Sequence, residues 1–338
     1  MPEPPHPSET LGEADLSTMN SALLAVSAQA AVADKKYDIG AQLQHWSVIN
    51  GESPDGMYNL ACYYSLAGQV DAAIYFLQKA AAEEGVDSDW AGEDFDLTLV
   101  RADSRWQKIH NYLKQYNRYW ETCDLSETVL ILPTGYDGKE AIPVVIGLHG
   151  MGSRPSHFIF DDYQEFADEL HVAFLGVSGS VPKGPTSFVW AENVTRDDAR
   201  IDACLKEVEG QLVPAKGKLV LIGFSQVGKM AGEIAAFKPE KYAGGIIMSP
   251  GGFSESRIGQ LSPGAAHFRQ GFVATCNAGE RPGNVRNTRE YADQLKRLEA
   301  HVKHISYPGL DTHSLPPDYW EKLPEWITFI LDPLEIGL

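Results

Sequence analysis

The spacing of apolar positions changes near Asp124. From about Leu16 to Lys79 they recur every three or four residues, the spacing of helices that bury one face. Beyond Asp124 they gather into short runs of strand length at 128–133, 141–148, 172–177, 219–222, 243–248, 271–276 and 302–307. A glycine-bounded stretch at 135–138 reads as a hairpin turn between the first two runs. Helical spacing returns between the later strands at 199–209, 288–301 and 317–331. Strands that alternate with helices predict an α/β fold, a mostly parallel sheet doubly wound with helices on both faces. An all-α region precedes it. The expected organisation is a Pro-, Glu- and Ser-rich tail at 1–15, a helical domain at 16–122 and the α/β domain at 123–338.

The stretch 219–237 joins strand, sharp turn and helix, with Ser225 at the apex. This is the context in which a serine hydroxyl is presented as a nucleophile. The turn crowds backbone against backbone, so small residues belong on either side of the serine. Gly223 and Gly228 fill that need, whereas Val227 stands where a strict G-x-S-x-G pattern has its second glycine. Gly223, Gly228 and Lys229 also fit most of a phosphate-binding loop, but Met230 occupies the place of the magnesium-binding hydroxyl. Ligands of parallel sheets bind outside the carboxyl ends of the strands. The residues there are His149-Gly150-Met151 after the second strand, Ser225, Glu280 after 272–276, and Asp311 and His313 after 305–307. Nucleophile, acid and base therefore follow the chain order Ser, Asp/Glu, His.

With these residues in place, the part from about 125 to 338 resembles the α/β-hydrolase superfamily, and within it the phospholipase/carboxylesterase-like group. The resemblance rests on Gly-Phe-Ser-Gln at 223–226, Leu-His-Gly at 148–150, Tyr-Pro-Gly at 307–309 and His-Ser-Leu-Pro-Pro-Asp at 313–318. It implies Ser225 as nucleophile, His313 as the base that takes its proton, and Glu280 as the acid behind the ring, where the family usually has Asp. Asp311 is the alternative acid. Backbone N–H groups of Met151 and Gln226 are implied as the oxyanion hole. His149, Gly150 and Trp190 are candidate pocket residues, His149 also as a shaper of the oxyanion loop. The implied activity is hydrolysis of a carboxylic ester through an acyl-enzyme, with no cofactor and no metal.

Residues 57–80 carry a second pattern. Leu60, Ala61, Tyr64, Gly68, Ala73, Leu77 and Ala80 stand at the spacings of a tetratricopeptide repeat, two antiparallel helices that approach closely at small residues. A weaker copy lies 33 residues upstream, with Lys36-Tyr37-Asp38 near the place of Gly68 to Asp71. The segment 94–109 resembles the helices that close such repeats. Fewer than two clear copies predict that this region leans on the second domain or on a partner chain, and such helical pairs imply binding of a protein partner or a homodimer.

Composition narrows the reading. The chain of 338 residues carries a net charge of −18, which argues against nucleic acid and anionic membranes as partners. Residues 1–125 hold 19 acidic and 8 basic side chains and the remainder 27 and 20, so the acid concentrates in the helical part. No apolar run reaches membrane-spanning length, and the start lacks the basic and apolar regions of a signal peptide. Cys62, Cys123, Cys204 and Cys276 are widely spaced and sit in or beside apolar runs, which predicts free thiols and a cytoplasmic setting. Three other functions stay open: a thioesterase or peptidase on the same triad, an inactive adaptor in which the helical region binds, and a nucleotide-binding protein through 223–229.

Overall fold

The computed structural model of the protein describes residues 15–51, 56–251 and 256–333. The expected tail at 1–15 lies, except for Asp15, outside the described residues. The chain divides into two compact units, Met1–Leu125 with Val181–Phe188, and Ser126–Ser180 with Val189–Leu338.

The first unit is helical: α1 (Ser21–Ala33), α2 (Tyr37–Asn50), α3 (Gly56–Leu66), α4 (Val70–Glu83), α5 (Ser88–Glu93), α6 (Thr98–Ala102) and α7 (Trp106–Glu121). The turns that join α1 to α2 and α3 to α4 match at the level of the backbone. Lys35 takes φ 62° in the first turn and Gly68 takes φ 76° in the second, 33 residues later. Lys36 (φ −88°, ψ 63°) and Gln69 (φ −90°, ψ 65°) follow in matching conformations. The N–H of Lys36 donates to Ala31 O and that of Gln69 to Tyr64 O, each at 2.8 Å. Leu60, Ala61 and Tyr64 of α3 are buried with Ala73, Leu77 and Ala80 of α4 in one cluster. The Met57 N–H near the start of α3 donates to both oxygens of Glu84, at 3.2 and 3.1 Å. Burial pushes the Glu84 carboxyl up to about 7 against those bonds. The segment Val181–Phe188 packs within this unit: the Lys183 ammonium, largely buried, bonds to Glu121 at 2.7 Å and Asp87 at 3.3 Å.

The second unit is built on a seven-stranded sheet. Its strands are β1 (Thr128–Ile131), β2 (Ala141–Leu148), β3 (Ala173–Val177), β4 (Val213–Phe224), β5 (Tyr242–Met248), β6 (Gly271–Asn277) and β7 (His301–Tyr307). Its helices are α8 (Gln164–Leu170), α9 (Val194–Glu207), α10 (Gln226–Phe237), α11 (Pro282–Arg297) and α12 (Tyr319–Leu331). The strand order is β1-β3-β2-β4-β5-β6-β7. Only the edge strand β1 is antiparallel, against β3, and all other pairings are parallel. This is the mostly parallel, helix-covered sheet of the α/β-hydrolase fold expected above.

The apolar runs are continuous because both faces are covered. Alternate side chains of one strand enter different cores. Leu219 and Leu221 join one cluster with Val144, Ile146 and the helices α9, α10 and α11. Val220 and Ile222 join the other with Val145, Phe174 and Trp326. Each such side chain contributes about 1.5–3 kcal/mol by leaving water, so a one-residue slip would disturb both faces at once.

Two expectations need correction. The turn at 135–138 does not make a hairpin of β1 and β2, because β3 lies between them. The helix read at 288–301 runs from Pro282 to Arg297. Pro282 at its first position presets the helical φ there, and His301 already belongs to β7.

Candidate active site

The carboxyl ends of β2, β4, β5, β6 and β7 deliver His149, Ser225, Ser249, Glu280 and His313 to one rim of the sheet. Ser225 stands between β4 and α10 with φ 63° and ψ −129°, a conformation that residues with a side chain seldom adopt. Its N–H donates to Met248 O at 2.9 Å, and its carbonyl accepts from Gly251 N–H at 3.1 Å. The close approaches fall on two glycines. A Cβ at Gly223 would lie 2.4 Å from Val227 O, and one at Gly228 would lie 2.5 Å from Met248 O. Val227 itself is fully buried in the core on the α10 side. The second small residue of the turn is thus needed three positions after the serine, and the position two after it has room for a valine.

Ser225 Oγ lies 2.9 Å from His313 Nε2. On the far side of the ring, His313 Nδ1 lies 2.6 Å from Glu280 Oε2. An ionised carboxylate can only accept, so the ring proton belongs on Nδ1 and Nε2 is left to accept from the Ser225 hydroxyl. Glu280 is the carboxylate behind the ring, and its side chain is 0% exposed against 20% for His313. The loop that carries His313 is tied to the segment that leads to Glu280: Asn277 Nδ2 donates to Thr312 O at 2.9 Å, and Gly279 N–H donates to Leu310 O at 2.8 Å. The Phe224 ring packs 4.6 Å from the His313 ring.

Met151 lies in a turn closed by the Ser153 N–H donating to Gly150 O at 3.2 Å. That loop is anchored by Arg154, whose Nε donates to Glu127 at 2.7 Å. Gln226 is the first residue of α10, and the first N–H groups of a helix have no partner inside it. Gln226 Nε2 donates to Glu192 at 2.7 Å, and the same carboxylate takes the Lys229 ammonium at 3.3 Å. Lys229, the lysine of the phosphate-loop reading, therefore turns a 4% exposed side chain to Glu192.

Of the three residues expected at the substrate pocket, His149 and Trp190 are buried and Gly150 is exposed. His149 Nε2 accepts from Gly179 N–H at 2.9 Å, so its proton sits on Nδ1 and is donated to Gly150 O at 2.7 Å. Burial lowers its pKa to about 4, and the ring is neutral. Trp190 Nε1–H donates to His149 O at 3.1 Å. Asp197, fully buried, holds this stretch by accepting from the N–H groups of Ala191 and Asn193 at 3.1 and 2.8 Å.

Three neighbours of the site were not expected from the sequence, Asn284, Glu192 and Asp197; a fourth, Ser249, follows the apolar run 243–248 at the same rim. Ser249 Oγ donates to Glu280 Oε1 at 2.5 Å and Asn284 Nδ2 to Glu280 Oε2 at 3.1 Å. Asn284 stands four residues after Glu280, the one spacing that could have marked it. Among the described residues, no group of three or more His, Cys, Asp or Glu is placed to hold a metal ion, and no helix is long and apolar enough to cross a membrane.

No protein-family model matches the chain. Two curated proteins, each called probable feruloyl esterase C, from Aspergillus terreus and Aspergillus clavatus, are 27% identical over 125 residues. That stretch is 37% of this chain, and the chain spans 46% of the length of these relatives. Among solved structures, a carboxylesterase from Bacillus cereus aligns with 63% of this chain and 99% of its own at 17% identity and a TM-score of 0.46. A phospholipase/carboxylesterase from Dyadobacter fermentans aligns with 60% and 96% at 21% identity and a TM-score of 0.44. An uncharacterized protein from Bacillus cereus aligns with 92% and 99% at 16% identity and a TM-score of 0.45.

Proposed function

We propose that the chain is a serine hydrolase that cleaves carboxylic esters. The observation that carries this reading is the unbroken relay from Ser225 Oγ through His313 to Glu280, at 2.9 and 2.6 Å. In the first half-reaction Ser225 Oγ attacks the ester carbonyl while its proton passes to His313 Nε2. The oxyanion forms against the N–H groups of Gln226 and Met151, each donor worth about 3 kcal/mol of barrier. The C–O bond to the alcohol breaks as His313 returns the proton to the leaving oxygen. Water then repeats the sequence on the acyl-Ser225 ester, releasing the acid and restoring the serine. Glu280 holds the ring tautomer and balances the imidazolium charge that appears in both halves. The reaction as drawn uses no cofactor. His149 and Trp190 support the oxyanion loop through the bonds from His149 Nδ1 to Gly150 O and from Trp190 Nε1 to His149 O.

The name shared by the curated relatives makes aromatic acyl groups the first to try, beside a graded series of straight-chain p-nitrophenyl esters. A fluorophosphonate probe should label the folded chain at Ser225, and Ser225→Ala should abolish both labelling and turnover. Labelling at another residue, or turnover that survives Ser225→Ala, would refute the proposal. Comparison of ester with thioester and peptide substrates separates the esterase from a thioesterase or peptidase. Complete inactivity with partner binding retained would leave the adaptor.

The 33-residue repetition of the two helical hairpins favours a tetratricopeptide-like reading of residues 16–122, with residues 123–338 as the catalytic domain. Such a unit offers a surface to a protein partner or to a second copy of the chain. The four free thiols fit a reducing, cytoplasmic compartment.

A further inference from the structure

We infer that Ser249 and Asn284 are positioning residues that act on the reaction through Glu280, clamping its carboxylate so that one oxygen faces His313. The inference rests on the triad reading above and extends it. Glutamate carries its carboxylate one methylene further from the backbone than aspartate, and the extra bond adds a torsion that something must hold. Two neutral donors hold it. Ser249 Oγ–H occupies Oε1 at 2.5 Å, and Asn284 Nδ2–H shares Oε2, at 3.1 Å, with the ring. Asn284 Nδ2 also lies 3.1 Å from His313 Nδ1. Because Nδ1 bears the ring proton, the amide cannot donate to it, and both N–H groups converge on the same carboxylate oxygen.

Each clamp residue is itself fixed. Ser249 is 1% exposed and takes φ 45° where β5 ends. Its N–H donates to Thr275 O at 2.7 Å, which ties it to the strand that leads to Glu280. Asn284 is 8% exposed in the first turn of α11, and its carbonyl accepts from Thr288 Oγ1–H at 2.8 Å. A buried carboxylate left short of donors is strongly destabilising. The clamp both satisfies Glu280 and selects its rotamer.

The test uses the full chain and separates donor chemistry from shape. Ser249→Gly removes the hydroxymethyl group, the donor to Glu280 included, and suits the left-handed backbone at φ 45°, so folding is retained. Asn284→Asp keeps the shape and turns the donor toward Glu280 into an acceptor, whereas Asn284→Ala removes shape and donor together. The clamp predicts that Ser249→Gly and Asn284→Ala each lower kcat about tenfold with KM unchanged, and that Asn284→Asp lowers it about a hundredfold. In a Glu280→Ala background the Asn284→Ala change should have no further effect. A shape role reverses the order, with Asn284→Asp harmless and Asn284→Ala harmful, and that order would overturn the inference.

A second readout needs no turnover. The His313 Nδ1–H proton should give a downfield, slowly exchanging NMR signal that is lost in Ser249→Gly and Asn284→Asp. A signal unchanged in both variants would also overturn the clamp. A signal that responds as expected in a chain without Ser225-dependent hydrolysis would support the clamp and remove the esterase reading alone.

Discussion

Gly228 backs directly onto the Met248 carbonyl, so closely that a Cβ on it would lie 2.5 Å from that oxygen. This contact locates the tight point of the serine turn one residue later than a G-x-S-x-G pattern would place it. Val227 meets no such limit and is fully buried among core side chains. Replacing it with the glycine of that pattern should therefore harm the protein. Val227→Gly is expected to lose about 3 kcal/mol, from lost burial and from glycine inside a helix, read as a lower Tm.

Ser225 tells the opposite story. Its backbone conformation suits glycine better than serine. Ser225→Gly should abolish ester hydrolysis and yet raise stability, by about 1 kcal/mol. Denaturant unfolding of the two proteins measures the difference, and a loss of stability would contradict the strain.

Glu280→Gln keeps the size of the side chain while replacing an acceptor with an amide that cannot stabilise the imidazolium. The expected fall in kcat is about 10³- to 10⁴-fold with the fold intact. Asp311→Asn should be nearly silent, since Glu280 and not Asp311 bonds to the ring. Equal losses in the two variants would show that the acid is misassigned.

His149 links stability to pH. Burial lowers its pKa from 6.5 to about 4, so the fold favours the neutral ring. Its contribution is fully present above about pH 6.5 and is lost as pH falls toward 4. His149→Ala should cost about 3 kcal/mol at pH 7, through a cavity and an unpartnered Gly179 N–H. The gap from the wild type should narrow steadily between pH 6.5 and 4 in thermal melts.

Glu84 works with the other sign in the helical unit. Burial first, and the charge of Glu83 much less, raise its carboxyl from 4.5 to about 7 against the backbone bonds from Met57 and Tyr58. The protonated form is favoured in the fold, so its stabilising contribution is whole below about pH 4.5 and disappears as pH rises through 7. Glu84→Gln should flatten that dependence and be the more stable protein at pH 8, by on the order of 2 kcal/mol. Unfolding followed at pH 4.5, 6 and 8 checks it.

Much of the site could be read from the chain because each reactive residue follows an apolar run. Parallel strands end at one rim, which makes Ser225, Glu280 and His313 candidates for a meeting on the sequence alone. Asn284, inside α11, was not visible in this way. Ser249 follows the run at 243–248, but it reaches Glu280 because β5 pairs with β6, and register between strands leaves no mark on either one alone. Glu192 reaches Gln226 and Lys229 from a loop, which carries no periodicity. Local chemistry also misled at 135–138: glycines there announce a turn but say nothing of which strand becomes the neighbour, and β3 took that place.

The membership of Val181–Phe188 bears on where this chain can be cut. Its helical unit is drawn from two separate stretches of sequence. A truncation that removed the first 125 residues would strip Asp87 and Glu121 from Lys183, leaving an ammonium without the carboxylates around it. One cut cannot lift out either unit whole, because eight residues of the helical unit lie between β3 and α9.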